Sequence, residues 1–151
     1  MSVNQCALGE KAGVARIDIT NLPNIDWATM VPGFMSDATR KESIEDPVCR
    51  LDEYLEDKIL SKISMIKIDT EGYEFHVLRG LQNYFESTDH RPIIICEVAP
   101  SAYPLLESTL ENRSSYLKQY SYDSFDLIRN RVKIDITKLK NTSNVLFRAP
   151  A

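Results

Sequence analysis

The sequence predicts an α/β fold built on a mostly parallel sheet. Three observations carry that prediction. Two short, apolar, largely β-branched runs, 63–69 and 92–98, read as strands covered on both faces. Between them the hydrophobic period lengthens to that of a helix. Beyond the second run, another helical stretch precedes two more strand-like segments. The order is therefore strand, helix, strand, helix, strand, strand, for which right-handed crossovers are expected.

At the amino end, Val3 to Leu8 reads as a strand that stops in the turn Gly9-Glu10-Lys11-Ala12-Gly13, before Val14-Ala15-Arg16-Ile17-Asp18-Ile19. Residues 21–45 contain prolines and a glycine and keep no period, which predicts a long loop, functional or mobile. Within it, Trp27 and Phe34 are candidates for a lid over a substrate or for packing on the core. Asp52 is placed to cap a helix over 53–60. Ile63-Ser64-Met65-Ile66-Lys67-Ile68-Asp69 ends at Thr70-Glu71-Gly72, where Gly72 permits a turn that other residues resist. Tyr73, Val77, Leu81 and Tyr84 then keep helical spacing, and Phe75, Leu78 and Phe85 widen the apolar stripe. Glu74 complements the dipole in the first turn, while Gly80 weakens the helix. Pro92 suits the first position of its strand. Pro100 and Pro104 mark an exit loop before a helix over 105–119. Segments 124–128 and 144–148 read as closing strands, antiparallel to each other.

With 151 residues, 43% apolar and 26% charged, the chain fits one soluble domain with a sizeable core. No run approaches the roughly 18 apolar residues of a membrane span, and the first residues lack the pattern of a secretory signal. A cytoplasmic location is expected. A net charge of −4 argues against nucleic-acid binding, which rests on neutralising phosphates. The basic stretch 129–140 reads as a solvated edge. Cys6, Cys49 and Cys96 are odd in number and lack a C-x-x-C spacing. Together with His76 and His90 they are too few for a zinc site, so they are expected to be reduced, small apolar fillers.

In open parallel sheets, ligands bind beyond the carboxyl ends of the strands. Asp69 and Glu97 lie at two such ends, and on neighbouring strands their backbones would stand about 4.8 Å apart. Carboxylates that close share a proton, hold a cation or receive a hydrogen-bonding ligand; alternatively they cap helices or bind loop amides. Glu71 stands just beyond Asp69 in the turn. Lys67 is expected to snorkel or to pair with a carboxylate, and His76 to be structural or exposed. Neither G-x-x-x-x-G-K-[ST] nor G-x-G-x-x-G occurs. A magnesium-dependent phosphotransferase ranks low, because the second acid near Asp69 is Glu71 rather than an aspartate.

The run Ser64-Met65-Ile66-Lys67-Ile68-Asp69-Thr70-Glu71-Gly72-Tyr73-Glu74, then Val77-Leu78-Arg79-Gly80, then Ile93-Ile94-Ile95-Cys96-Glu97-Val98, resembles FkbM-type methyltransferases. Upstream, Ala7-Leu8-Gly9 and Arg50-Leu51-Asp52-Glu53-Tyr54-Leu55 extend the likeness, so that it covers nearly the whole chain, 1–151, as one domain. The resemblance implies a Rossmann-like class I methyltransferase fold that uses S-adenosylmethionine to methylate a hydroxyl of a sugar or secondary metabolite. It places Cys6 and Ala7 near the adenine, Asp69 beside the methyl-transfer centre and Glu97 at the end of the next strand. Asp69 is the candidate for accepting the hydroxyl proton or orienting the acceptor, with Glu71 and Glu97 in support; the same acids also admit a divalent cation. The family's first strand with its glycine-rich cofactor loop, and the second strand that follows, find no counterpart, so the first two strands of the fold are expected to be missing. The expected fold is therefore N-terminally truncated, with an exposed sheet edge inviting self-association and weak cofactor binding. The reading from a different class is a non-catalytic module that binds a glycan or a partner chain.

Overall fold

The computed structural model describes residues 3–20, 27–55 and 63–150. Two sheets organise them. The first has the order β1-β4-β2-β3, from β1 (Ala7–Leu8), β2 (Gly13–Thr20), β3 (Ala28–Thr29) and β4 (Arg40–Cys49). The second has the order β5-β6-β8-β7, from β5 (Met65–Ile68), β6 (Ile93–Val98), β7 (Asp123–Asp126) and β8 (Ser143–Arg148). Among the described residues four α-helices accompany the sheets: α1 (Leu51–Tyr54), α2 (Glu74–Arg79), α3 (Gln82–Ser87) and α4 (Leu110–Gln119). None of the described helices is long and apolar enough to cross a membrane.

The expected central unit is present. β5 and β6 pair in parallel, from Met65 opposite Ile93 to Ile68 opposite Cys96, and α2 and α3 form the crossover between them. β7 and β8 pair antiparallel, also as expected. The expectation of a mostly parallel sheet is corrected. Among the described residues only β1–β4 and β5–β6 are parallel; β2–β3, β2–β4, β6–β8 and β7–β8 are antiparallel. A parallel neighbour needs a long crossover, usually helical, and no α-helix is described between β7 and β8; a short 3-10 turn, Ile136–Lys138, sits there instead.

The loop expected over 21–45 is also corrected at its far end. Arg40 to Cys49 is a strand, in register with β2 from Gly13 opposite Val48 to Thr20 opposite Arg40. Its residues are largely polar and exposed, as an antiparallel surface sheet allows. Residues 21–26 lie outside the described part of the chain.

A single helix was expected from Tyr73; two short ones form, broken at Gly80 and Leu81. The break lies where other backbone arrives. A Cβ on Gly80 would stand 2.2 Å from the carbonyl oxygen of Gly9, and the Gly80 carbonyl accepts from the Asp52 amide at 3.1 Å. Asp52 does not cap its own helix, since it sits inside α1. One of its carboxylate oxygens accepts from the Asn83 amide at 2.9 Å and so caps α3 from a distance, while Arg50 grips both oxygens at 3.0 and 2.7 Å. Of the helix expected over 53–60, residues 56–60 lie outside the described part. The helix expected from 105 starts later, at Leu110, because Glu107 turns left-handed and Thr109 supplies the cap, its hydroxyl accepting from the Asn112 amide.

The core gathers Ile68 of β5, Val77 and Leu78 of α2, Ile94 and Val98 of β6, and Val145 and Phe147 of β8. β6 alternates buried and half-buried residues, so the run expected to be covered on both faces is fully covered on one. By alternation, the other face carries Lys67 and Asp69 beside Ile95 and Glu97, a polar row at the carboxyl end of the parallel pair.

Candidate active site

Ile68 pairs with Cys96, so Asp69, leaving β5, comes opposite Glu97 near the end of β6. The chain then reverses. The Tyr73 amide donates to the Thr70 carbonyl at 3.3 Å, and both central residues have positive φ, 49° at Glu71 and 101° at Gly72. For Glu71 this region is unfavourable by about 1–2 kcal/mol, so its surroundings must impose it. The Thr29 hydroxyl donates to the Glu71 carbonyl at 2.7 Å, tying β3 to the turn, and the Gly72 amide donates to Glu74 Oε1 at 2.7 Å. The reversal brings an oxygen of Glu71 to those of Asp69 and Glu97, all three within 4.8 Å of one another.

That proximity shows in the electrostatics. Burial pushes the Glu97 carboxyl up to about 7, with the charges of Glu71, Asp69 and Glu74 adding to the rise and Lys67 opposing it. Glu71 is raised by burial and by Asp69 and Glu74, with Trp27 and Glu97 acting against the rise. Lys67 reaches across the row, its ammonium donating to Asp69 Oδ2 at 2.8 Å and to Asn144 Oδ1 at 3.1 Å. An ammonium thus already serves Asp69 where a divalent cation would compete, and we assign no metal step to the cluster.

The raised carboxyl has a consequence for stability. Folded Glu97 keeps its proton to higher pH than the unfolded residue does. The stability it contributes is therefore complete below its ordinary value of 4.5 and is lost as pH rises through about 7. Glu97→Gln should remove that loss, so its melting temperature should fall less than that of the parent between about pH 5 and pH 8. Parallel melting curves for the two proteins would show Glu97 unperturbed.

Asp69 also belongs to a second feature, a cavity of about 270 Å³ walled by Cys6, Ala7, Ile17, Met30, Asp69 and Thr70. The structure thus brings Cys6, Ala7 and Asp69 to one cavity and joins Asp69, Glu71 and Glu97 in one cluster, with Asp69 common to both. Small and aliphatic side chains make up most of the cavity wall. Cys6 lies beside Cys49, sulfur to sulfur 3.0 Å, and all three cysteines are free thiols. Phe34 packs on the core and meets Trp27 edge to face at 5.7 Å. His76 stacks on Tyr73, with Glu10 and Arg79 as its charged neighbours.

Two residues escape sequence reasoning. Glu74, read there as a dipole complement, is fully buried under the turn, and so is Arg113 of α4. Their side chains approach to 3.9 Å. The available signal was spacing: Leu110, Arg113 and Leu117 fall on one helical stripe, which puts a charge on the buried side.

The Methyltransferase FkbM domain profile matches residues 2–124. The chain belongs to the FkbM methyltransferase family. The match spans both sheets as far as β7, so the carboxylate cluster and the adjoining cavity lie within the FkbM domain. No curated protein and no solved structure matched the chain.

Proposed function

We propose that this FkbM-family chain transfers a methyl group from S-adenosylmethionine to a hydroxyl of a sugar or secondary metabolite, with Asp69 facing the acceptor. The observation that carries this reading is the meeting of Asp69, Glu71 and Glu97 at the ends of adjacent parallel strands, beside the cavity walled by Cys6 and Ala7. In this reading β5, α2, α3 and β6 are a crossover unit of a Rossmann-like class I fold.

S-adenosylmethionine, when bound, supplies an electrophilic methyl on a sulfonium. Cys6 and Ala7 would hold its adenine side. The acceptor oxygen must lose its proton as the new carbon–oxygen bond forms, and a placed carboxylate takes it. Lys67 occupies Asp69 Oδ2, which leaves Oδ1 to receive the hydroxyl. Glu97, raised to about 7, lies close enough to share the proton and is tuned near neutral pH, where a general base works best. In this reading the mostly apolar cavity wall fixes the approach of the two reactants.

The test uses S-adenosylmethionine carrying a labelled methyl group, a panel of polyhydroxylated acceptors, and calorimetry of cofactor binding. Label transfer whose rate rises with pH through about 7 is the expected result. A folded protein that binds no cofactor and transfers no label to any acceptor overturns the proposal in favour of a binding module.

The free side of β5 supports a second element of the reading. Among the described residues β5 ends its sheet, and Met65 is exposed. An unpaired edge of this kind invites another strand, and self-association of the chain is proposed there.

A further inference from the structure

Glu74 and Arg113 are both fully buried, although neither touches the cavity. Burying two charges is costly unless each is well satisfied, so what they hold is informative. Glu74 Oε1 accepts from the Gly72 amide at 2.7 Å, which fixes the turn that carries Glu71. Arg113 Nη2 donates to Cys96 Sγ at 2.6 Å and to the Glu97 carbonyl at 3.5 Å, which fixes the end of β6. Its Nη1 donates to the Tyr103 hydroxyl, and its guanidinium lies 5.7 Å from the ring centres of Tyr103 and Phe147. The two side chains face each other at 3.9 Å. One end of this pair therefore holds the backbone of Glu71, and the other holds the backbone of Glu97.

We infer that Glu74 and Arg113 are positioning residues, a buried ion pair that sets the approach of the Glu71 and Glu97 carboxylates and, through the Glu74 charge, the way they share a proton. The inference rests on the proposed methyl-transfer reading for its catalytic meaning but not for its geometry. The charged groups facing Glu97 are Lys67 and Asp69 from β5, Glu71 from the turn and Glu74 from α2. Among these, Glu74 alone is sealed from solvent; burial raises its own carboxyl, while the Gly72 amide and Arg113 favour its charged form.

The experiment compares Glu74→Gln, Glu74→Ala and the double variant Glu74→Gln/Arg113→Met, which leaves no buried charge unpaired. Two readouts are taken: the carboxyl titration of Glu97 by carbon NMR, which needs no activity, and kcat against KM for the methyl-transfer assay. In the parent protein Glu97 should titrate near 7. In Glu74→Gln the amide oxygen still accepts from Gly72, and the Glu97 midpoint should move down because a negative neighbour has gone. Glu74→Ala loses the hydrogen bond as well, and kcat should fall by about 10²-fold, the scale of a misplacement near 1 Å, with the KM for S-adenosylmethionine nearly unchanged. Glu74→Gln should restore most of that rate. An unmoved Glu97 midpoint in both Glu74→Gln and the double variant overturns the inference even if methyl transfer is confirmed. A moved midpoint in a protein without methyl transfer sustains the positioning role and counts against the reaction instead. Equal kcat in folded Glu74→Ala and the parent overturns the catalytic part. Should Glu74→Ala fail to fold, the other two variants decide.

Discussion

Asp69→Asn is expected to lower the methyl-transfer rate by roughly 10²–10⁴-fold while leaving the melting temperature close to that of the parent. The amide fills the same space, so the substitution takes away the proposed proton acceptor and little else. Asp69 is about half exposed, and among the described residues its carboxylate accepts only from Lys67, itself 44% exposed. A surface pair of this kind is worth about 0–1 kcal/mol. The turn after β5 is held by Thr29, Gly72 and Glu74 rather than by Asp69. Were Asp69 a capping residue, the substitution would cost on the order of 1 kcal/mol and leave turnover per folded molecule intact. Turnover and melting temperature measured on the same preparation separate the two. Near-normal turnover would remove Asp69 from the mechanism and leave Glu71 and Glu97 as the candidates.

Gly72→Ala should have the largest effect on stability, a loss of about 2–5 kcal/mol. Two costs combine. The backbone at φ 101° lies in a region that L side chains rarely adopt, and the new methyl would stand 2.4 Å from Ala102 Cβ and 3.1 Å from Val31 Cγ2. Neither neighbour is a flexible chain end that can swing away. Against a typical total of about 5–15 kcal/mol, a loss on this scale leaves part of the population unfolded at ordinary temperature. Denaturant midpoints measure it directly. Combining the change with Ala102→Gly should return the overpacking share and leave the backbone share. A loss below about 1 kcal/mol in the single variant would show that the turn relaxes and that Gly72 is not needed for its shape.

What the sequence discloses follows from how local the cause is. β5 and β6 are legible because branched apolar runs have few alternatives, and the acids that end them, Asp69 and Glu97, stand out by contrast. β4 is not legible: Arg40-Lys41-Glu42-Ser43 carries no apolar pattern, and only the ladder with β2 makes it a strand. Gly80 is visible as a weak helix residue, but the approach of the Gly9 carbonyl that explains it is a contact across the chain. Glu71 could be suspected from its place beside Gly72, yet nothing local announces a glutamate at φ 49°. Glu74 and Arg113 are the hardest, because an acid in a first helical turn and an arginine in a helix are ordinary surface residues until the tertiary fold buries them.

The contact between Gly9 and Gly80 also bears on how a defect in this protein would be misread. Gly80 lies outside the carboxylate cluster and carries no functional group. Any side chain there meets the backbone oxygen of Gly9, one residue past β1, the strand that brings Ala7 to the cavity. Relief of the clash must move backbone, either at Gly9 beside β1 or at the break between α2 and α3. Under the proposed reading, an allele at position 80 would therefore disturb the wall that faces the cofactor, from a residue that lines neither the cavity nor the carboxylate cluster.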